Sequence, residues 1–175
     1  MHDKIERSGH LPRRLFTIEQ VLTLLAETPP RIAEITAGLA PAQLHNPPGP
    51  DEWSANDVLA HLRACADVWG NCIATIIAQY TPTLRAVSPR TWIKKTNYLE
   101  QKFQPSLHAF TKQRTDLLAV LEPLARQCWS RKATITGAGR VLEWTVLFYA
   151  TRMAGHERTH LKQFKRIANT MRIKE

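Results

Sequence analysis

The sequence predicts an all-α fold, an up-down four-helix bundle with long loops, and two observations carry that prediction. Four long segments repeat apolar residues every three or four positions, which is the helical period. The stretches between them lack the strict apolar-polar alternation of a half-buried strand. Of the 175 residues, 43% are hydrophobic and 22% charged, as in folded rather than disordered chains. We therefore expect one domain over residues 17–168, preceded by a flexible arm at 1–16 and followed by a basic tail at 169–175.

The first helix begins at a capping box, with Thr17 as cap and Gln20 at the third helical position. Its apolar pattern is interrupted by Pro29 and Pro30. This pair predicts either a kink within one helix or a fresh start with Thr28 as cap, and the sequence leaves both open.

The second helix is expected to begin at Ser54, with Asp57 in the favoured first turn. Before it, residues 41–51 hold four prolines and predict a stiff, non-helical connection. The core-facing stripe of this helix consists of Val58, Leu62, Cys65, Trp69, Cys72 and Ile76. Residues 80–96 then predict a long loop, and residues 98–125 a third helix.

The fourth helix is expected from about Val141 to Ala168, after a short, turn-rich connection at residues 127–139. Its inward stripe reads Leu142, Val146, Tyr149, Met153, His156, His160 and Ile167. Two imidazoles therefore occupy positions where the pattern favours leucine.

These two histidines predict a metal site. His156 and His160 are four residues apart, so they project from one helix face with β-carbons about 6 Å apart. Buried imidazole nitrogens need polar partners, and zinc, nickel and iron all accept neutral imidazole. His61, on the shoulder of the second helix, joins them if that shoulder faces the fourth helix. The remaining histidines are assigned to surface or loop positions: His2, His10, His45 and His108.

The segment His156-Glu157-Arg158-Thr159-His160 also matches H-E-x-x-H, in which the glutamate is a general base. The extended form of that motif needs glycine and histidine where Gln163 and Arg166 stand. Only fifteen residues follow His160, so a later helix cannot supply a third ligand. Glu157 is therefore a candidate for proton transfer beside the metal, and the motif does not by itself indicate a protease.

The net charge of +9 is concentrated near the C-terminus, where cations complement the negative end of a helix dipole. No nucleic-acid-binding motif accompanies them, so nucleic-acid contact through this segment is the weaker interpretation. The N-terminus lacks the apolar region of a signal peptide, and no run of about 18 apolar residues predicts a membrane span. We expect a cytoplasmic protein, with Cys65 and Cys72 as reduced core residues.

Several motifs resemble the DinB-like superfamily. Trp53-Ser54, Asp57 and His61-Leu62 fit its W-S-x-x-[DE]-x-x-x-H-L motif, and the segment from His156 to Gln163 fits its closing H-x-x-x-H-x-x-Q. The segment from Phe110 to Leu121 is similar to its F-x-x-x-R-x-x-L-L pattern, with Arg114 as the arginine; Trp129 and Gly139 also fall at family positions. The resemblance extends from Thr17 to Ala168.

The resemblance implies an up-down bundle with His61, His156 and His160 as metal ligands, often in a homodimer. It also implies relatives that act as thiol-dependent transferases or isomerases with low-molecular-weight thiols such as bacillithiol or mycothiol. Glu157 departs from the family pattern, in which aspartate or another residue is common at this position.

Three histidines leave a coordination position open, which is typical of catalytic rather than structural sites. Such a position supports hydrolysis, or transfer of a group to a sulfur atom held as thiolate. The sequence therefore predicts a metal-dependent hydrolase or thiol-dependent S-transferase acting on a small molecule. A non-catalytic metal-binding dimerisation module is the alternative. Four arginines are candidates for binding an acidic substrate or for ordinary salt bridges: Arg85, Arg90, Arg114 and Arg152.

Overall fold

The computed structural model describes residues 15–173, and four long helices form its body. These are α1 (Ile18–Thr36), α3 (Ala55–Ala78), α5 (Phe103–Leu121) and α6 (Val146–Ile173). The connections contain α2 (Pro41–His45), α4 (Pro89–Trp92), β1 (Thr83–Arg85), β2 (Lys132–Thr136) and β3 (Leu142–Thr145). Within residues 15–173, no helix combines the length and apolar character needed to cross a membrane.

The four-helix bundle predicted from the sequence is confirmed, with a specific arrangement of its corners. α1 packs against α5 and α6, and α3 also packs against α5 and α6. Among the four long helices, consecutive members α1 and α3 thus occupy diagonal corners, and so do α5 and α6. The long connections at residues 37–54 and 122–145 span those diagonals. Because α3 and α6 are neighbours, side chains from these two helices meet inside the bundle.

The two helix starts that are predicted from capping residues are confirmed. Thr17 and Gln20 form a capping box at α1, and Ser54 and Asp57 form one at α3. The ambiguity at Pro29-Pro30 is resolved in favour of one helix, since α1 runs through both prolines. The hydroxyl of Thr28 donates a hydrogen bond to the Leu24 carbonyl at 3.0 Å, as α-helical side chains of this type do.

A small sheet replaces the turn-rich connection predicted at residues 127–139. β2 pairs in parallel with β1, through Thr83 and Thr134, and antiparallel with β3, through Lys132 and Thr145. The start of α6 moves accordingly from Val141 to Val146, because the residues before it form β3. These strands are only three to five residues long, so their alternation is too brief to stand out from a loop.

Other predicted boundaries also need correction. The connection at 41–51 includes the short helix α2, which begins with Pro41 in its first turn, where proline is tolerated. The third helix is α5 and is shorter than the predicted span of 98–125. The predicted basic tail from residue 169 is helical as far as Ile173, and Met171 is buried. Residues 1–14 of the predicted flexible arm lie outside the described residues.

The core consists of two apolar clusters, one above the other along the bundle. One cluster includes Trp69, Met153 and the buried residues of β2. The other includes Leu62 and Phe164. On α6 the boundary between the clusters falls at His156 and His160, and on α3 it falls just after His61, between Leu62 and Cys65.

Candidate metal centre

The three predicted histidines converge between α3 and α6. Nε2 of His61 lies 2.9 Å from Nε2 of His156, which lies 3.1 Å from Nε2 of His160. His61 is 4% exposed and His160 8% exposed, while His156 is half-buried. His61 comes from the second helix of the bundle and the other two from the fourth, as the sequence predicts.

The chemistry of this donor set fits a shared cation. One imidazole nitrogen carries either one hydrogen or one lone pair. His156 Nε2 can therefore form a hydrogen bond with one of its two histidine neighbours, and it faces the other without one. With metal–nitrogen bonds of about 2.0–2.1 Å, adjacent ligand nitrogens stand about 3.0–3.4 Å apart, close to the observed spacing.

The environment of His61 and His156 keeps both imidazoles neutral. Burial lowers the pKa of His61 to about 3, with the charges of His160 and Arg90 as further causes. Burial also lowers the pKa of His156 to about 2, again helped by His160 and by other nearby cations. Neutral imidazole is the form that binds a metal ion, so His61 and His156 can act as metal ligands at neutral pH.

Two neighbouring side chains fix the orientation of the histidines. His160 Nδ1 lies 2.8 Å from Oε1 of Gln163, an acceptor, so this ring nitrogen donates, and in the neutral ring Nε2 then has its lone pair toward the cluster. The Trp53 ring stacks on His160 with an interplanar angle of 4° and meets the edge of His61. Gln163 of the closing motif and Trp53 of the opening motif therefore both orient His160, and Trp53 also contacts His61.

Cys65, which the sequence predicts only as a core residue, is a further donor. Its sulfur lies 3.5 Å from Nε2 of His61, and one donor atom each from His61, Cys65 and His156 all lie within 4.8 Å of one another. A thiolate is a strong zinc ligand. The signal in the sequence is the spacing of four between His61 and Cys65, the same spacing as between His156 and His160.

The histidines line a cavity of about 810 Å³, within the size range of small-molecule sites. α3 and α6 form two of its walls, and the segment before α4 and the sheet contribute the rest. Trp69 and Trp144 give it an apolar surface, and Arg90 and Arg152 bring positive charge. Both tryptophans were assigned to no site from the sequence, because an aromatic residue on a helical stripe or in a loop does not distinguish a cavity wall from a core.

Glu157 has an environment unlike the one that the H-E-x-x-H motif requires. Its carboxylate pairs with the guanidinium of Arg114, and both side chains are 3% exposed. Burial raises the pKa of Glu157, while the charge of Arg114 acts in the opposite direction. Neither residue lines the cavity. Successive helical residues point about 100° apart, so Glu157 faces the sealed core while His156 faces the cavity.

The four arginines predicted as substrate candidates fall into two groups. Arg90 and Arg152 line the cavity, as an anion-binding role requires. Arg114 is committed to its pair with Glu157, and Arg85 does not line the cavity. Of the two alternatives that the sequence leaves open, Arg114 therefore takes the salt bridge, and Arg85 lies outside the cavity.

Comparisons with known proteins agree with this fold. The model of the DinB superfamily matches residues 24–164, most of the chain. Among solved structures, YfiT from Bacillus subtilis, described as a probable metal-dependent hydrolase with an unusual four-helix bundle topology, is similar with a TM-score of 0.76. It is 16% identical, and the alignment covers 91% of each chain. No curated protein sequence matches the chain. The extent of the family match establishes that the chain belongs to the DinB superfamily.

Proposed function

We propose that the chain is a metal-dependent hydrolase of a small molecule, with His61, His156 and His160 as the ligands of one divalent ion. The convergence of three Nε2 atoms at a cavity of about 810 Å³ carries the proposal. The description of the structurally similar YfiT as a probable metal-dependent hydrolase supports it.

When bound, a divalent ion supplies a Lewis acid that brings the pKa of a coordinated water toward neutrality. The side chains around the ion orient its ligands and line the cavity. Gln163 orients His160, and the Trp69 and Trp144 rings exclude bulk water from part of the cavity wall. Burial raises the pKa of Tyr149, so its hydroxyl stays protonated in the cavity at neutral pH. We assign Glu157 a structural role through its pair with Arg114.

The donor set favours some metals over others. Imidazole suits zinc, nickel and iron, whereas magnesium and calcium prefer oxygen ligands. The nearby sulfur of Cys65 strengthens that preference, because thiolates select soft and borderline metals. We therefore expect zinc, nickel or iron in the native protein.

A thiol-dependent S-transferase is the second candidate, and the size of the cavity favours it. A cavity of about 810 Å³ is large enough to hold a low-molecular-weight thiol beside a second small molecule. The same three histidines would serve both reactions. Dependence of turnover on an added thiol separates the two candidates.

Metal analysis of the untagged protein tests the ligand set. We expect about one ion per chain, and we expect His156→Ala to lose it, because two histidines and an empty position hold metal far more weakly. His108→Ala is the matched control, since His108 is an exposed histidine on α5. Wild-type protein without metal, or full metal content in His156→Ala, would contradict the proposal.

A panel of esters, amides and phosphoesters then tests the reaction, with and without thiols and with and without a chelator. Hydrolysis that stops on chelation and returns with metal supports the hydrolase. Turnover that requires both metal and thiol supports the S-transferase. A metal-loaded protein without turnover on either panel favours the non-catalytic module.

A further inference from the structure

Arg152 is a cation that lacks a carboxylate partner in the part of the chain that the structure describes. It projects from α6 into the cavity and is half-buried. The ion pairs among residues 15–173 do not include it, and its buried Nε has no hydrogen-bond partner. A partly buried charge without a counter-ion is unfavourable, and a bound anion would remove that cost.

Two tryptophans hold the Arg152 guanidinium in place. Its central carbon lies 5.1 Å from the ring centroid of Trp69 and 5.7 Å from that of Trp144, both within cation–π range. Because the rings contact the face of the guanidinium, the N–H groups on its two terminal nitrogens can still donate hydrogen bonds in the guanidinium plane. These groups are parallel donors that match the two oxygens of a carboxylate.

The remainder of the cavity reinforces the positive charge. Arg90 also lines it and lies close enough to the histidines to lower the pKa of both His61 and His156. Among the described residues, no aspartate or glutamate lines the cavity. A cleft lined by charge of one sign attracts ligands of the opposite sign.

We propose that Arg152 binds a carboxylate group of the substrate, so that the chain acts on small carboxylic acids. Arg152 stands one helical turn before His156, which separates the two β-carbons by about 6 Å. The substrate therefore carries its carboxylate roughly one helical turn from the bond that reacts at the histidines. This inference rests on the proposed function and adds the substrate class to it.

Phenylacetate and phenylacetamide, an acid and its neutral amide, are suitable probes for calorimetric titration of the protein as purified. We expect the wild type to bind the acid about tenfold more tightly than the amide, because a charge-assisted pair replaces neutral hydrogen bonds. Arg152→Gln should lose this preference and keep its affinity for the amide. Arg158→Gln is the matched control, since Arg158 lies on the same helix but is exposed outside the cavity.

Equal affinity of the wild type for both probes would overturn the proposal. So would an undiminished preference for the acid in Arg152→Gln with unchanged metal content, because the metal or another group would then hold the carboxylate. If Arg152→Gln does not fold, Arg152→Met replaces the charged group by an apolar side chain that can pack against the two tryptophan rings, and it should lose the preference in the same way. Failure of the proposed function would be seen in different measurements: wild-type protein without metal, or full metal content in His156→Ala.

Discussion

Two polar clusters lie side by side along α6, and they differ in whether each charge or polar atom has its partner within the chain. Arg114 and Glu157 form a buried pair in which each charge has its counter-ion within the chain. The histidine cluster consists of His61, His156 and His160. It brings imidazole nitrogens together without a counter-charge between them, and it opens onto a cavity. The contrast teaches that a complete cluster contributes to the fold, whereas an incomplete one is the place to look for a ligand.

The largest expected effect comes from breaking the complete cluster. Glu157→Ala leaves the Arg114 guanidinium buried without its counter-ion, which should lower the free energy of unfolding by about 3–5 kcal/mol. Urea denaturation at pH 7 measures the change. Glu52→Ala is the control, because it removes an exposed ion pair with Arg166 and should cost no more than about 1 kcal/mol.

A double substitution sharpens this test. Arg114→Met combined with Glu157→Leu replaces the pair by apolar side chains, and we expect it to recover most of the stability lost in Glu157→Ala. Metal content should remain at the wild-type level in the double variant, since neither side chain lines the cavity that the histidines face. Loss of metal in that variant would show that the two clusters are coupled.

Acid should lower the stability of the metal-free protein through the histidine cluster. In the metal-free protein the pKa of His61 is about 3 and that of His156 about 2, both below the ordinary histidine value near 6.5. Between these values the unfolded chain binds more protons than the folded one, so stability falls as the pH falls below about 6.5. From pH 7 to pH 5 we expect a loss of roughly 2 kcal/mol per histidine.

Denaturation of the chelated protein at both pH values checks this loss. His156→Leu should make the unfolding free energy less dependent on pH, because one titrating group is removed. The same pH dependence in wild type and variant would contradict the assignment of the effect to this cluster.

The bundle, and the placement of His156 and His160 on its inner side, could be predicted from the sequence for a physical reason. Long amphipathic helices repeat their signal over several turns, and His156 and His160 stand out because they interrupt such a repeat. The capping boxes at Thr17 and Ser54 depend on neighbouring residues and are equally visible. Features that repeat along a helix, and features that depend only on neighbouring residues, can therefore be predicted from one sequence.

Features that depend on distant contacts could not be predicted in this way. Strands β1 and β2 pair across about fifty residues and are too short to show a clear period. The direction of Glu157 follows from its partner Arg114 on another helix, which the H-E-x-x-H pattern does not include. Cys65 and Trp69 fit a core stripe in the sequence, and only the placement of α3 beside α6 brings them to the cavity.

The smallest expected effect concerns the hydrogen bond that supports the incomplete cluster. Gln163→Leu removes the acceptor for His160 Nδ1, which frees the ring to rotate or change tautomer, and metal affinity should fall about tenfold. Gln163→Glu keeps an acceptor at this position and should retain affinity close to wild type. Competition with a chromogenic chelator measures both. Because Gln163 serves only the cluster that needs a ligand, Gln163→Leu should leave the stability of the metal-free protein nearly unchanged, in contrast to Glu157→Ala.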